Sequence, residues 1–401
     1  MQLFLKETTM FELEEVASQE AASGTTVIKV IGVGGAGGNA VEHMIREGVG
    51  GVEFICCNTD SQALDKSSAH VKLQLGPGLG AGGKPEKARA LAQDDRVRIA
   101  EALEGAHMVF ITAGMGGGTG TGAGPVIAEV ARELGILTVA VVTKPFEYEG
   151  RRKRLAEEGV AEFEKHVDSL IVILNEKLEE VLGDDVSMLD AFKAADNVLR
   201  NAVGGIAEII NVPGLVNVDF EDVRTVMGEM GKAMMGSAVA SGVDRARIAA
   251  EEAVASPLLE GIELSGARGV LVNITASNTL GLKEYKDVMN TIRQYTAAEA
   301  TVICGAVFDA SMEDQLRVTV VATGLGAIAG KARKPEMKVV ETTVGRTGTD
   351  GFYVFDNTVG QVDLSSVASS LRMPRNSQAE AMAASGVDKY DIPAFLRRQQ
   401  D

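Results

Sequence analysis

The chain has 401 residues, 45% of them apolar and 24% charged, and a net charge of −17. Two packed units with tails fit that length better than one core. The charge sits on residues 1–330, since residues 331–401 carry ten basic and nine acidic side chains. An acidic surface of that size excludes duplex nucleic acid as a partner and makes copies of the chain repel at low salt.

Residues 1–24 have no period and end in Ala21-Ala22-Ser23-Gly24; they are expected to be disordered. The start lacks the basic stretch and apolar core of an export signal. No apolar run approaches the roughly 18 residues that cross a bilayer, so no direct membrane insertion is expected. Cys56, Cys57 and Cys304 lie in apolar runs and read as reduced core thiols in the cytoplasm. His43, His70, His107 and His166 form no cluster and read as ordinary side chains; no protein metal site is expected.

Strand and helix signals alternate from 27 to about 183, with strands at 27–34, 54–58, 108–113, 137–143 and 169–174. That alternation implies a parallel sheet covered by helices. A long periodic helix follows at 189–211, stopped by Asn211-Val212-Pro213-Gly214. Helices at 221–235, 245–255 and 282–298, with strands at 269–276, 301–308 and 316–323, make a second α/β region. Residues 331–387 are polar and rich in small side chains, the composition of a flexible linker. Residues 388–401 regain an aromatic and aliphatic cluster, Tyr390-Asp391-Ile392-Pro393-Ala394-Phe395-Leu396, as a partner-binding peptide on a tether would. The expected units are 25–186, 187–211 and 212–330.

Two glycine loops carry the chemistry. Gly116-Gly117-Gly118-Thr119-Gly120-Thr121-Gly122 follows the apolar strand at 108–113 and precedes a helix. Glycines let backbone approach an anion, and helix N-termini offer bare N–H donors. The run lacks the Gly-Lys-Ser/Thr ending of a Walker A loop. Gly32, Gly34 and Gly37 form a second loop after the first strand, with Glu53 about twenty residues on. That spacing is the dinucleotide fingerprint and supports a rival reading, a nicotinamide or flavin oxidoreductase. Two loops on one anion suit a mononucleotide triphosphate better.

Further along, Asn58-Thr59-Asp60 closes the second strand, where polar groups face a ligand crevice or form an Asx turn. Glu149 precedes the basic run Arg151-Arg152-Lys153-Arg154. Phe192 and Asp196 are four apart and share a helix face. Asp219, with Asp222 three residues later, reads as a capping box.

In order and spacing these motifs resemble those of the FtsZ family, the bacterial tubulin homologues of cell division. The resemblance runs from about residue 27 to 324 and returns over the last dozen residues. It implies an α/β fold: a Rossmann-like parallel-sheet GTPase domain, and a second α/β domain joined to it by the long central helix. Gly35, Ala36, Gly37, Gly38 and Asn39 would cradle the phosphates of GTP or GDP with Gly117, Gly118, Thr119 and Gly120. Mg²⁺ would be held with the nucleotide, near Asn58-Thr59-Asp60. Ala36 stands where many relatives have glycine. Glu149 would take the ribose and Lys153 the nucleotide; a one-residue slip would give that role to Arg152 or Arg154. Asp196 would accept two hydrogen bonds from guanine, which adenine cannot donate.

Asn217, Asp219 and Asp222 match the loop that completes hydrolysis in the family. With Asp196 on the base, the helix to Asn211 carries the chain about 22 Å away. Those carboxylates would then serve the phosphates of another copy, and a head-to-tail contact of that kind grows into a filament. The resemblance also implies a mid-cell division ring, and membrane-tethering and regulatory partners for the C-terminal peptide. The loop at 75–85 is about four residues shorter than is common in the family. Met10-Phe11-Glu12 looks like the family's usual start, leaving Met1 or Met10 as the true one. A nucleotide-binding scaffold without turnover is the third reading.

Overall fold

The computed structural model describes residues 26–183, 187–212, 214, 216, 218–229, 231–256 and 266–325. The expected N-terminal segment, linker and C-terminal peptide lie outside the described residues.

Apolar runs with short breaks produce strands buried on both faces. In chain order the first half is β1 (Ile28–Val33), α1 (Gly34–Arg46), β2 (Val52–Asn58), α2 (Ser61–Asp65), β3 (Val71–Gln74), α3 (Pro85–Asp94) and α4 (Arg96–Leu103). Then come β4 (Met108–Gly114), α5 (Thr119–Glu133), β5 (Leu137–Lys144), α6 (Arg151–Phe163), β6 (Ser169–Leu174) and α7 (Asn175–Leu182). The strands are parallel in the order β3-β2-β1-β4-β5-β6. Every residue of β4 from Met108 to Ala113 is buried. Phe110 and Phe163 are among the largest fully buried side chains, each contributing roughly 1.5–3 kcal/mol by leaving water. Phe163 of α6 lies on the bare backbone of Gly124 in α5, where an added Cβ would come within 2.4 Å of the ring.

The second half comprises α8 (Met188–Asn211), α9 (Phe220–Met227), β7 (Gly231–Ser241), α10 (Arg245–Val254), β8 (Gly269–Ala276), α11 (Leu282–Tyr295), β9 (Thr301–Phe308) and β10 (Gln315–Leu325). Ser187 caps α8 by accepting from the Asp190 N–H at 3.1 Å. The buried face of α8, including Leu199, Val203, Ile206 and Ile209, joins the core cluster under β1, β4 and β5. Its C-terminal half meets the second region, where Asn273 of β8 donates to the Gly205 carbonyl at 3.0 Å. There Arg317 of β10 also pairs with Glu208 at 3.1 Å. A separate cluster from α10, α11, β8 and β10 fills the other face of that region.

Two expectations are corrected. The helix expected at 221–235 ends at Met227, and residues 231–241 form β7. Lys232, Ala233, Met234 and Met235 favour helix by propensity, but β7 pairs along β10 from Ser241 to Lys232 and with the start of β6. Tertiary pairing outweighs local propensity there. The same strand joins the halves, so one ten-stranded sheet runs β3-β2-β1-β4-β5-β6-β7-β10-β8-β9 where two were expected. The short strand β3 had no counterpart among the expected strands.

Candidate nucleotide site

From β1 the chain builds outward through β2 to β3, then returns to place β4 on the other side of β1. A crevice opens at such a switch point, beyond the carboxyl ends of β1 and β4. Both glycine loops leave the sheet there: α1 starts directly after Val33, and α5 starts four residues after β4. Neither helix N-terminus has a side-chain cap, so their N–H groups remain to serve an anion.

The loops touch. Gly34 has φ +76, and a Cβ on it would lie 3.1 Å from the Gly120 nitrogen. Thr59 and Thr119 share a hydrogen bond of 2.7 Å between their hydroxyls, tying the end of β2 to the second loop. Gly116 donates its N–H to the Thr121 hydroxyl at 2.9 Å. The loop after β3 closes one wall, since a Cβ on Gly118 would meet Ala81 and the nitrogens of Gly83 and Lys84. Gly35 and Gly117 differ from these neighbours: a Cβ on either would meet nothing within 4 Å. The expected cradle residues therefore converge, and two of their glycines border open space. Asn58 and Asp60 make the Asx turn, accepting from the N–H groups of Asp60 (3.2 Å) and Gln62 (3.0 Å).

Beside the cradle, Glu149 accepts from the Phe146 N–H at 3.1 Å and pairs with the Arg152 guanidinium. Lys153 pairs with Glu147, and Arg154 lies 3.6 Å from Glu158. The backbone of Arg152 packs on the glycine loop, its carbonyl 2.5 Å from a Cβ built on Gly116. Phe146 stacks on Tyr148 and meets Phe192 edge to face, with ring centroids 6.4 Å apart. Phe192 is 48% exposed, an apolar face left open at the start of α8. On that helix, burial pushes the Asp196 carboxyl up to about 6, while His43 and Arg46 of α1 pull it down.

Phe146 was not singled out from the sequence, and His43 was read there as an ordinary side chain. Phe146 had a signal, three residues before Glu149; His43 had only its place one helical turn after Asn39. His43 Nε2 lies 2.7 Å from Asn197 Oδ1.

Asp219 and Asp222 are elsewhere. Asp219 caps α9, accepting from the Asp222 N–H at 2.8 Å, as the capping box implied. Phe220 meets the His107 ring with centroids 6.0 Å apart. His107 Nδ1 accepts from the Val27 N–H at 3.0 Å. His107 and Val27 immediately precede β4 and β1, so α9 begins at the foot of the strands whose tops carry the glycine loops. The seven residues of β4 separate the two ends by about 20 Å. Asn217 lies outside the described residues. Among the described residues no cluster of three His, Cys, Asp or Glu could hold a metal ion.

Such a fold, with two glycine loops converging at a topological switch point, is that of an α/β nucleotide-binding protein. The GTPase-domain profile of the Tubulin/FtsZ family matches residues 27–183, and the C-terminal-domain profile of the FtsZ family matches residues 231–326. Cell division protein FtsZ of Pseudomonas aeruginosa is 54% identical over 98% of this chain and 100% of its own length. That of Coxiella burnetii is 53% identical over 98% and 100%. A solved FtsZ dimer from M. jannaschii superimposes with a TM-score of 0.72 at 42% identity, covering 75% of this chain and 88% of that one. CetZ2 from Haloferax volcanii, at 20% identity and TM-score 0.63, shares the fold.

The chain belongs to the FtsZ family of tubulin-like GTPases. It binds guanine nucleotide and hydrolyses GTP. Neither the oxidoreductase reading of Gly32, Gly34 and Gly37 nor the scaffold without turnover is favoured.

Proposed function

We propose that this chain is the filament-forming GTPase of bacterial cell division, assembling head to tail and hydrolysing GTP between subunits. The observation that carries the split site is distance: the cradle and the Asp219–Asp222 pair stand about 20 Å apart, at opposite ends of β4. Within one copy these carboxylates do not reach the γ-phosphate. Stacked copies bring one subunit's α9 end onto the next one's cradle.

In this reading Gly35, Ala36, Gly37, Gly38 and Asn39 hold phosphate oxygens from α1, and Gly117, Gly118, Thr119 and Gly120 hold them from α5. Glu149, with Arg152 or Lys153 beside it, takes the ribose side. The Asp196 carboxylate accepts from guanine N1–H and the 2-amino group. Asn217, Asp219 and Asp222 of the neighbouring subunit orient and polarise the attacking water. A Mg²⁺ ion entering with the nucleotide would neutralise phosphate charge, drawing mostly on phosphate and water oxygens. The cap and catalytic roles of Asp219 are compatible, because an N–H bond to one carboxylate oxygen leaves the other free.

Turnover per subunit should be close to zero in dilute protein and rise steeply once subunits meet. A specific activity that stays constant on dilution would show a site complete in one copy. The C-terminal peptide 388–401 is proposed to bind membrane-tethering and regulatory division proteins, bringing the filament to a mid-cell ring in the cytoplasm. Deleting residues 391–401 should leave assembly and turnover intact while abolishing recruitment to membrane-bound partners; loss of assembly in the purified truncation would contradict that assignment.

A further inference from the structure

The α1–α8 contact couples the two halves of the nucleotide site. Helix α1 carries the phosphate loop at its N-terminus and His43 one turn past Asn39. Helix α8 carries Asp196 and Asn197. Asn197 Oδ1 can only accept, so His43 Nε2–H donates across the 2.7 Å contact. The bond joins residues 154 positions apart in sequence, and it lies on α8 next to the carboxylate assigned to the base. From α1 the groups facing Asp196 are His43 and Arg46. On α8 itself Lys193 lies by Asp190 and Arg200 bonds Asn201, so neither cation is committed to Asp196.

We propose that His43 is a positioning residue for base recognition: its bond to Asn197 sets α8 against the phosphate-loop helix, so that base and phosphates are read in one fixed register. This rests on the reading that Asp196 holds guanine. Two effects act together. The hydrogen bond limits sliding and rotation of the first turns of α8, and an off-register carboxylate loses one or both of its bonds to the base. The imidazole also lowers the cost of ionising the half-buried Asp196 carboxyl.

The test uses the full chain, kept too dilute to assemble, with GDP and IDP as ligands so that hydrolysis does not intervene. IDP lacks the 2-amino group and reports one of the two carboxylate bonds. His43→Ala is expected to weaken GDP at least fivefold and to shrink its preference over IDP. His43→Gln keeps a donor of similar reach and should restore most of the affinity at pH 8. Having no imidazole charge, it should still move the pH midpoint of GDP binding upward from the wild-type value. A purely structural role would change melting temperature but neither the GDP/IDP ratio nor the midpoint. Asp196→Ala separates the two ideas. If it erases the GDP preference while both His43 variants keep the wild-type ratio and midpoint, the positioning role is wrong and the guanine reading stands. If it leaves the preference intact, the guanine reading fails and His43 loses its proposed role with it. Should His43→Ala not fold, Asn197→Ala breaks the same bond from the other side, and a GDP/IDP ratio unchanged in that variant overturns the proposal.

Discussion

Asp196 is where function and stability conflict at the level of one residue. Its carboxyl is raised from an ordinary 3.8 to about 6, chiefly by burial. The folded chain therefore holds that proton more tightly than the unfolded chain. The group's stabilising contribution is full below about pH 4 and is lost as pH rises through about 6. Above pH 6 the ionised side chain costs the ligand-free protein about 1–2 kcal/mol, allowing for its solvent contact. The proposed guanine contact has the opposite demand, since only the carboxylate accepts both hydrogen bonds. GDP affinity should thus fall below pH 6, toward tenfold per pH unit. Asp196→Asn should melt higher than wild type without ligand at pH 7.5, match it at pH 4, and bind GDP more weakly at pH 7.5. Equal melting temperatures at pH 7.5 would show that burial imposes no such cost.

Among the elements, α5 and α9 show how one motif serves two purposes. The glycines of α5 divide by what surrounds them. Gly117, just before the helix, borders open space, whereas a Cβ on Gly122 would come 2.0 Å from the Pro85 carbonyl of α3. Gly117→Ala should leave thermal stability within about 0.5 kcal/mol and weaken GDP binding. Gly122→Ala should destabilise by about 1–3 kcal/mol through overpacking. Urea titration beside a GDP isotherm checks both, and the reverse assignment would misplace the cradle. In α9 the cap and the proposed catalytic charge can be separated. Asp219→Ser keeps a capping oxygen, so stability should hold within about 0.5 kcal/mol. Turnover should drop at least tenfold if the charge acts on water; unchanged turnover would leave Asp219 a cap alone.

These elements also mark what was legible in the sequence. The strands at 54–58 and 169–174 were readable because short apolar runs bounded by polar residues have few other folds. The convergence of the two glycine loops was readable because each follows an apolar strand and opens a helix. The strand at 231–241 was not, because Lys232-Ala233-Met234-Met235 reads as helix until β10 lies beside it. The His43–Asn197 bond was equally hidden, since no local pattern links residues on different helices.

For the whole molecule, the acidic body and the two distant half-sites define what assembly must do. Charge on residues 1–330 opposes stacking at long range, so moderate salt should aid the first contacts by screening. In the proposed stack each interface completes one hydrolytic site. Mixing two inactive variants tests that division most directly. Gly117→Asp puts a carboxylate into the open cradle and abolishes nucleotide binding, while its own Asp219 and Asp222 stay intact. Asp222→Ala binds GTP and turns it over about 10²–10⁴ times more slowly. Co-sedimentation first establishes that the two enter the same filaments. The mixture should then hydrolyse GTP faster than the sum of its components, with a gain that grows with total concentration. Co-assembly with no gain in rate would contradict a site shared between subunits and return Asp219 and Asp222 to the role of helix cap.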